Sequence, residues 1–190
     1  MLNANLFFLD NPTMETDRLI LRKISLADEE EIFSYASIPE VSKYVSWECH
    51  ETIEDTREFI NLTLERYSKD EAGEWALVLK NTNRIIGIAG FVQYRKEHKS
   101  IEVGYVLARD YWRQGFAAEA VQQLIRFAFT EMSLNRVEAV HFPDNEASGR
   151  VMQKVGMTYE GLMREKVFIK GHFQDLKQYA IIKKDWQTKF

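Results

Sequence analysis

The stretch from Ile101 to Ala120 constrains this chain more than any other part of it. Ile101-Glu102-Val103-Gly104-Tyr105-Val106-Leu107 reads as a strand, and after a short loop Trp112-Arg113-Gln114-Gly115-Phe116-Ala117-Ala118-Glu119-Ala120 opens a helix. Over Gly115–Met132, Ala117, Ala120, Val121, Leu124, Ile125 and Ala128 recur at helical spacing and line one face. A strand that turns through a glycine into an amphipathic helix leaves the first-turn N–H groups without internal partners, at the positive end of the helix dipole. Such an end suits an anion. Gly115 removes a Cβ where a phosphate would approach, Ala117 and Ala118 keep the next positions small, and Arg113, with Arg109 nearby, adds positive charge. The stretch lacks the G-x-G-x-x-G of a dinucleotide-binding turn and the G-K-[ST] of a P-loop, which argues against dinucleotide redox chemistry and nucleotide hydrolysis.

Composition sets the class of chain that carries this turn. A length of 190 residues, with 45% hydrophobic and 28% charged side chains, belongs to a globular protein. One domain over residues 1–190 is expected, with 1–14 as a short N-terminal extension. No apolar run reaches the roughly 18 residues of a membrane span, and Leu6-Phe7-Phe8-Leu9 has neither the basic flank nor the length of a signal peptide. Cys49 is the lone cysteine, which points to a reducing, cytoplasmic setting. A formal net charge of −4 without a dense Lys/Arg run argues against nucleic acid as a partner. That charge is unevenly spread: residues 1–71 carry 16 acidic and 7 basic side chains, and residues 72–190 carry 13 and 18. Two readings fit, an uneven solvated surface, or an anionic cofactor held on one side and a cationic substrate on the other.

Thr16–Ile24 alternates as a first strand. Ser25 to Asp28 and Thr52 to Asp55 both resemble capping boxes. The first opens a short acidic helix to about Ala36, the second a longer one to about Ser68 with apolar Ile53, Phe59, Ile60, Leu62, Leu64 and Tyr67. Strands follow over 74–80 and 84–94, turned at Asn81-Thr82-Asn83, and over 100–108. After the Gly115–Met132 helix come a strand over 136–142, a helix over 147–155, and a closing hairpin of 158–169 with 173–182. The expected fold is mixed α/β (α+β), a central and mostly antiparallel twisted sheet of about seven strands flanked by about four helices.

Several stretches carry a family resemblance: Glu15-Thr16-Asp17-Arg18-Leu19-Ile20-Leu21-Arg22, Ile86-Gly87, Glu102-Val103-Gly104-Tyr105, Trp112–Ala120, Asn145-Glu146-Ala147-Ser148 with Lys154-Val155-Gly156-Met157, and Tyr159-Glu160-Gly161. In this order, over roughly residues 14–185, they resemble the GCN5-related N-acetyltransferase (GNAT) superfamily, and within it the RimJ/RimL-type ribosomal-protein acetyltransferases. The resemblance implies acetyl-CoA as cosubstrate and no metal, with the CoA at the N-terminus of the helix after the fourth strand. Main-chain N–H groups of Arg113, Gln114, Gly115, Phe116, Ala117 and Ala118 would hold the pyrophosphate and Asn145 the pantetheine arm. A strand N–H near Val106 and Leu107 would meet the thioester oxygen. It also implies direct transfer in a ternary complex, with no nucleophilic Ser or Cys. The sequence departs from the family pattern at Trp112 (usually Gln or Arg), Arg113 (usually Gly in the subfamily) and Met157 (usually Phe). Met152 stands where many relatives carry a tyrosine that protonates the leaving thiolate, so Ser148 is the nearest motif residue for that role.

An acceptor amine must lose a proton before it attacks. For a lysine with pKa about 10.4 this costs roughly 4.6 kcal/mol at pH 7, for an α-amine near 7.8 only about 1 kcal/mol. Glu102 is the candidate base, directly or through a water; the alternative is a strand-edge carboxylate paired with a neighbouring Arg or Lys. Trp47 either lines the substrate pocket or simply packs. His50, His98, His141 and His172 lack metal-ligand spacing, and Phe127, Phe129 and the methionines read as core. The expected activity is transfer of an acetyl group to a protein N-terminal α-amine, in a basic chain of the ribosomal-protein type. The carboxylates Asp28, Glu29, Glu30, Glu31, Glu48, Glu51, Glu54, Asp55 and Glu58 would attract it. The alternatives are a small-amine acetyltransferase (polyamine, amino acid or aminoglycoside) and a non-catalytic acyl-CoA-binding module. No nucleic acid or membrane partner is expected, and a homo-oligomer is compatible with the sequence.

Overall fold

The structure, a computed structural model, describes residues 11–69 and 73–189, so residues 1–10 of the expected N-terminal extension lie outside the described residues. The strand expected over Thr16–Ile24 forms only over Leu19–Arg22, and a further short strand, Met14–Glu15, precedes it. Thr16 closes a tight turn, its Oγ accepting from the Leu19 N–H at 3.0 Å and its own N–H donating to the Leu19 carbonyl at 2.9 Å. As a result β1 (Met14–Glu15) folds back antiparallel on β2 (Leu19–Arg22). The sheet is therefore eight-stranded, and the long helix follows the fifth strand rather than the fourth.

Asp28 accepts from the Ser25 N–H at 2.8 Å and opens α1 (Glu29–Ala36). The single-turn helix α2 (Pro39–Ser42), which the periodicity did not show, precedes α3 (Ile53–Ser68). The second capping box is formed: Thr52 N–H donates to Asp55 at 2.8 Å and Asp55 N–H returns to Thr52 Oγ at 3.4 Å. Thr56, Ile60, Thr63 and Tyr67 form the buried stripe of α3. Leu62, expected on the packed face, falls off that stripe and is exposed.

The remaining elements are β3 (Glu74–Leu79), β4 (Arg84–Arg95), β5 (Ser100–Leu107), α4 (Phe116–Thr130), β6 (Arg136–His141), α5 (Glu146–Lys154), β7 (Thr158–Ile169), β8 (His172–Ile182) and a terminal α6 (Lys183–Lys189). The strands lie in the order β1-β2-β3-β4-β5-β6-β8-β7, with every neighbouring pair antiparallel except β5–β6. Strand alternation gives the sheet two apolar faces, each with its own core. One face carries Ile101, Val103 and Leu107 of β5 and is covered by α4, through Val121, Leu124, Ile125 and Ala128. The other carries Ala76, Val78, Ile85 and Ile88 and is covered by α1–α3, through Ile32, Tyr35, Val41 and Ile60, with Val106 at its edge.

Candidate active site

The parallel pair is short. β5 and β6 match at Ser100↔Arg136, Ile101↔Val137 and Glu102↔Glu138, and no further. Beyond that point β6 stays with β8 as far as His141↔Lys177, while β5 stays with β4 as far as Leu107↔Gly87. The two strands thus part, and the sheet opens between them. Lys99 turns its carbonyl toward the β6 side, accepting from the Asn135 N–H at 2.8 Å, and Ala108 turns its N–H toward β4, to the Ile86 carbonyl at 2.9 Å. Alternation between these anchors points the main-chain groups of Tyr105 and Leu107 into the opening and those of Val106 toward β4. Of the two expected positions for a thioester-oxygen donor, Leu107 has the matching orientation. Its carbonyl is held by the indole N–H of Trp112 at 2.8 Å, which fixes the strand end against the following turn.

That turn leads to the helix start at Gly115. Gly115 is the N-cap of α4, with φ 86° and no side-chain cap, and the first helical bond runs from Glu119 N–H to its carbonyl at 3.0 Å. The N–H groups of Phe116, Ala117 and Ala118 therefore have no partner within the helix. The Phe116 and Ala118 side chains are buried in the core, so only their main chain is available to an anion. Arg113 sits at φ 60°, in the left-handed region that glycine occupies without strain, which is the physical meaning of its departure from the subfamily pattern. Gln114 is held by its side-chain amide to the Asp110 carbonyl at 2.7 Å, and its own carbonyl accepts from Arg18 Nη1 at 3.1 Å. Two cations that the sequence reading did not assign converge here. Arg18 Nη2 and Lys154 Nζ lie 3.5 and 3.6 Å from where a Cβ on Gly115 would sit. Both lie in stretches that carry the family resemblance, but only the fold brings the β1–β2 turn and α5 to one spot.

Asn145 and Ser148 begin α5. Asn145 is its N-cap, its side-chain oxygen accepting from the Ser148 N–H at 3.3 Å. Ser148 meets Tyr105 of β5, their hydroxyl oxygens 2.7 Å apart, and burial pushes the Tyr105 phenol up to about 12. Met152 is fully buried in the core beneath α5, so the position that carries a tyrosine in many relatives faces away from solvent here. One turn earlier, Gly149 packs on His141, whose Nε2 would lie 2.9 Å from a Cβ.

Glu102 points to the opposite face of β5 from Tyr105. Burial pushes its carboxyl above the usual range, Arg95 and Lys166 pull it down, and Glu138 pushes it up. Glu138, its cross-strand neighbour, is bound by Arg95 at 2.6 Å and Arg136 at 2.5 Å. Glu102 and Ser148 thus sit on either side of the opening rather than in contact. Trp47 lies on the same face as Glu102, half-buried at the edge of the second core, its ring 5.2 Å from that of His50. The turn between β7 and β8 reaches over to this face, Lys170 Nζ donating to the Ser42 carbonyl at 2.7 Å. Among the described residues no group of three His, Cys, Asp or Glu side chains is placed to hold a metal ion, and no helix is long and apolar enough to cross a membrane.

A sheet opened beside an uncapped helix start, with two cations at the turn, is an arrangement suited to a phosphate-bearing ligand. Residues 18–158 match the family model described as an acetyltransferase (GNAT) domain, and the chain belongs to that family of N-acetyltransferases. It is 36% identical over 172 residues to the uncharacterized N-acetyltransferase YoaA of Bacillus subtilis (strain 168), covering 90% of this chain and 97% of the relative. A GNAT-family acetyltransferase from Bacillus anthracis superposes with a TM-score of 0.82 at 32% identity, covering 91% of this chain and 99% of the other. More distant are a spermidine N(1)-acetyltransferase from Vibrio cholerae, 22% identical over 87% of this chain and 93% of the relative, and RimL, a ribosomal L7/L12 alpha-N-protein acetyltransferase solved with CoA. RimL shares the fold at TM-score 0.78 and 20% identity, over 90% of this chain and 98% of its own.

Proposed function

We propose that this acetyl-CoA-dependent N-acetyltransferase acts on protein N-terminal α-amines, with Glu102 taking the ammonium proton and Ser148 protonating the CoA thiolate. The observation that carries the reading is the parting of β5 from β6 just past Glu102↔Glu138, with Glu102 on one face and Ser148 on the other. An amine arriving over the α1–α3 face meets a carboxylate whose burial raises its basicity. An α-amine, which needs only about 1 kcal/mol of deprotonation at pH 7, suits a single partly buried glutamate better than a lysine does. On the α4–α5 face, the Phe116–Ala118 amides, with Arg18 and Lys154 beside Gly115, suit a pyrophosphate. Leu107 N–H suits the oxyanion.

The acceptor face is less acidic in effect than in composition. Asp28 binds Arg22 at 2.8 Å, Glu29 binds Arg57 at 2.9 Å, Glu31 binds Arg84 and the Ile85 N–H, and Asp55 caps α3. Glu30, Glu51 and Glu58 remain exposed on that side and favour a basic chain, and Glu48, also exposed, faces Lys170 at 3.9 Å. A polyamine has the same charge, and the likeness to a spermidine N(1)-acetyltransferase keeps that second acceptor class in play. The test is acetyl-CoA turnover on basic and acidic N-terminal peptides, a blocked lysine peptide, spermidine and an aminoglycoside. The highest kcat/KM is expected for basic free N-termini. A small amine turned over better than every peptide overturns the acceptor assignment, and CoA binding without turnover of any amine identifies a non-catalytic module.

A further inference from the structure

We infer that Tyr105 is a positioning residue for acetyl transfer, holding the Ser148 hydroxyl so that its hydrogen is free for the departing sulfur. The inference rests on the proposed role of Ser148. Tyr105 is fixed on β5 at the opened part of the sheet, and Ser148 lies in the first turn of α5, so their 2.7 Å contact spans from strand to helix beside the gap. A phenol has one hydrogen and a serine hydroxyl has one. If Ser148 donated to Tyr105, its hydrogen would be spent inside the protein. Tyr105 can instead donate to Ser148 Oγ, since its alternative acceptor, the Ser148 carbonyl, is farther at 3.2 Å. A phenol held up to about 12 stays protonated throughout the working pH range, so it remains a donor.

The proton balance closes without Tyr105 losing its hydrogen. The neutral amine forms the C–N bond and its nitrogen becomes positive. The C–S bond breaks, the sulfur leaves with the electron pair, and it takes the Ser148 hydrogen. The Ser148 oxygen, stabilised at that moment by the Tyr105 O–H, recovers a hydrogen from the nitrogen. Amide and CoA thiol are released, and both hydroxyls end as they began. A phenol of higher acidity than this one would compete for the charge; one that stays neutral only lends a hydrogen bond.

The experiment is a cycle of Tyr105→Phe, Ser148→Ala and the double variant, with kcat, KM for acetyl-CoA and CoA affinity by calorimetry for each. Ser148→Ala is expected to lower kcat by about 10²-fold, the lower end of general acid catalysis. Tyr105→Phe, which keeps the ring, should lower kcat by about tenfold with KM and CoA affinity unchanged. The double variant should be no slower than Ser148→Ala alone. Wild-type kcat in Tyr105→Phe, beside a slow Ser148→Ala, overturns the inference and leaves the role of Ser148 standing. So does a double variant whose loss is the product of the two single losses, since the two hydroxyls then act independently. Wild-type kcat in Ser148→Ala removes the Ser148 assignment and this inference together.

Discussion

Arg18 grips Glu119 across 101 positions of sequence, its Nε donating to Oε2 at 2.7 Å and its main-chain N–H to Oε1 at 2.9 Å. The pair ties the N-terminal β1–β2 hairpin to the first turn of α4. Arg18 also lies over the Phe116 ring, 4.1 Å from its centroid, and donates to the Gln114 carbonyl. One side chain therefore braces the whole glycine turn. It also neutralises a carboxylate that stands one turn from the proposed pyrophosphate site.

From this contact follows an expectation for CoA affinity. Arg18→Ala leaves Glu119 without its cationic partner, though still held by the Thr16 hydroxyl, and should weaken CoA binding by about two- to fivefold, the scale of a partly exposed charge pair worth up to about 1 kcal/mol. Adding Glu119→Gln should recover part of the loss, because the repelling charge is gone. Calorimetry at low salt measures both. A double variant no better than Arg18→Ala shows that Arg18 acts through bracing or through its own charge at the turn, and not by neutralising Glu119.

The two left-handed residues of the turn should respond in opposite directions. Gly115 at φ 86° has room for a Cβ, with its nearest neighbours 3.5 and 3.6 Å away, but not the backbone for one. Gly115→Ala should cost about 1–2 kcal/mol in stability. Gly115→Glu adds a carboxylate in the proposed anion site and should abolish CoA binding in a folded protein. Arg113 at φ 60° carries the strain already, so Arg113→Gly should be neutral or stabilising by up to about 1 kcal/mol. Urea unfolding midpoints decide the stabilities, and CoA titration the binding.

Glu102 offers a test in which activity and stability move apart. Its carboxyl is raised in the folded state, so the folded protein binds the proton more tightly than the unfolded chain. That contribution to stability is present at low pH and lost as pH rises through the folded value. Glu102→Gln removes the buried charge and should leave Tm at pH 7 equal to or above that of the wild type. The same change should lower kcat by about 10²-fold if the carboxylate is the base. In the wild type the acid limb of kcat/KM should lie above the usual glutamate value of about 4.3. Arg95→Ala takes away a nearby cation and frees Glu138 from one of its partners, so the limb should move higher still. An unmoved limb in Arg95→Ala, or full activity in Glu102→Gln, assigns the carboxylate a structural role.

Much of this fold was legible because periodicity and capping agree locally. The α4 stripe, both capping boxes and the Asn81–Asn83 turn follow from neighbours within a few residues, and each forms close to the expected place. What the sequence hid depends on distant partners. The late start of the expected first strand, and the extra strand Met14–Glu15 before it, depend on a threonine hydroxyl that closes a turn, and a strand-like pattern does not reveal it. Arg18, Lys154 and Tyr105 stand in stretches that resemble the family, yet their roles come from contacts with Glu119, Gly115 and Ser148 that only the folded chain makes. The acidic N-terminal segment read as a rim for cations, and within it three carboxylates, Asp28, Glu29 and Glu31, are tied to Arg22, Arg57 and Arg84 of neighbouring elements.

Asp28 makes that last point measurable. It is buried between β2 and α1, and burial alone would push its carboxyl up. The hydrogen bonds from Arg22, both at 2.8 Å, and from the Ser25 N–H outweigh this and hold it below the usual carboxylate range. The folded state therefore binds this proton less tightly than the unfolded chain does. The stabilisation is present above the unfolded value of about 3.9 and is lost as pH falls through the folded one. Asp28→Asn leaves Arg22 without its charged partner and should cost about 1–3 kcal/mol at pH 7. The difference from the wild type should narrow steadily as pH falls below about 4, since the unfolded chain takes up the proton first and the folded carboxyl only at lower pH. Urea unfolding of both proteins at pH 7 and pH 3 tests this. A penalty that stays the same at both values shows that Asp28 acts through shape and capping, and that its charge contributes nothing.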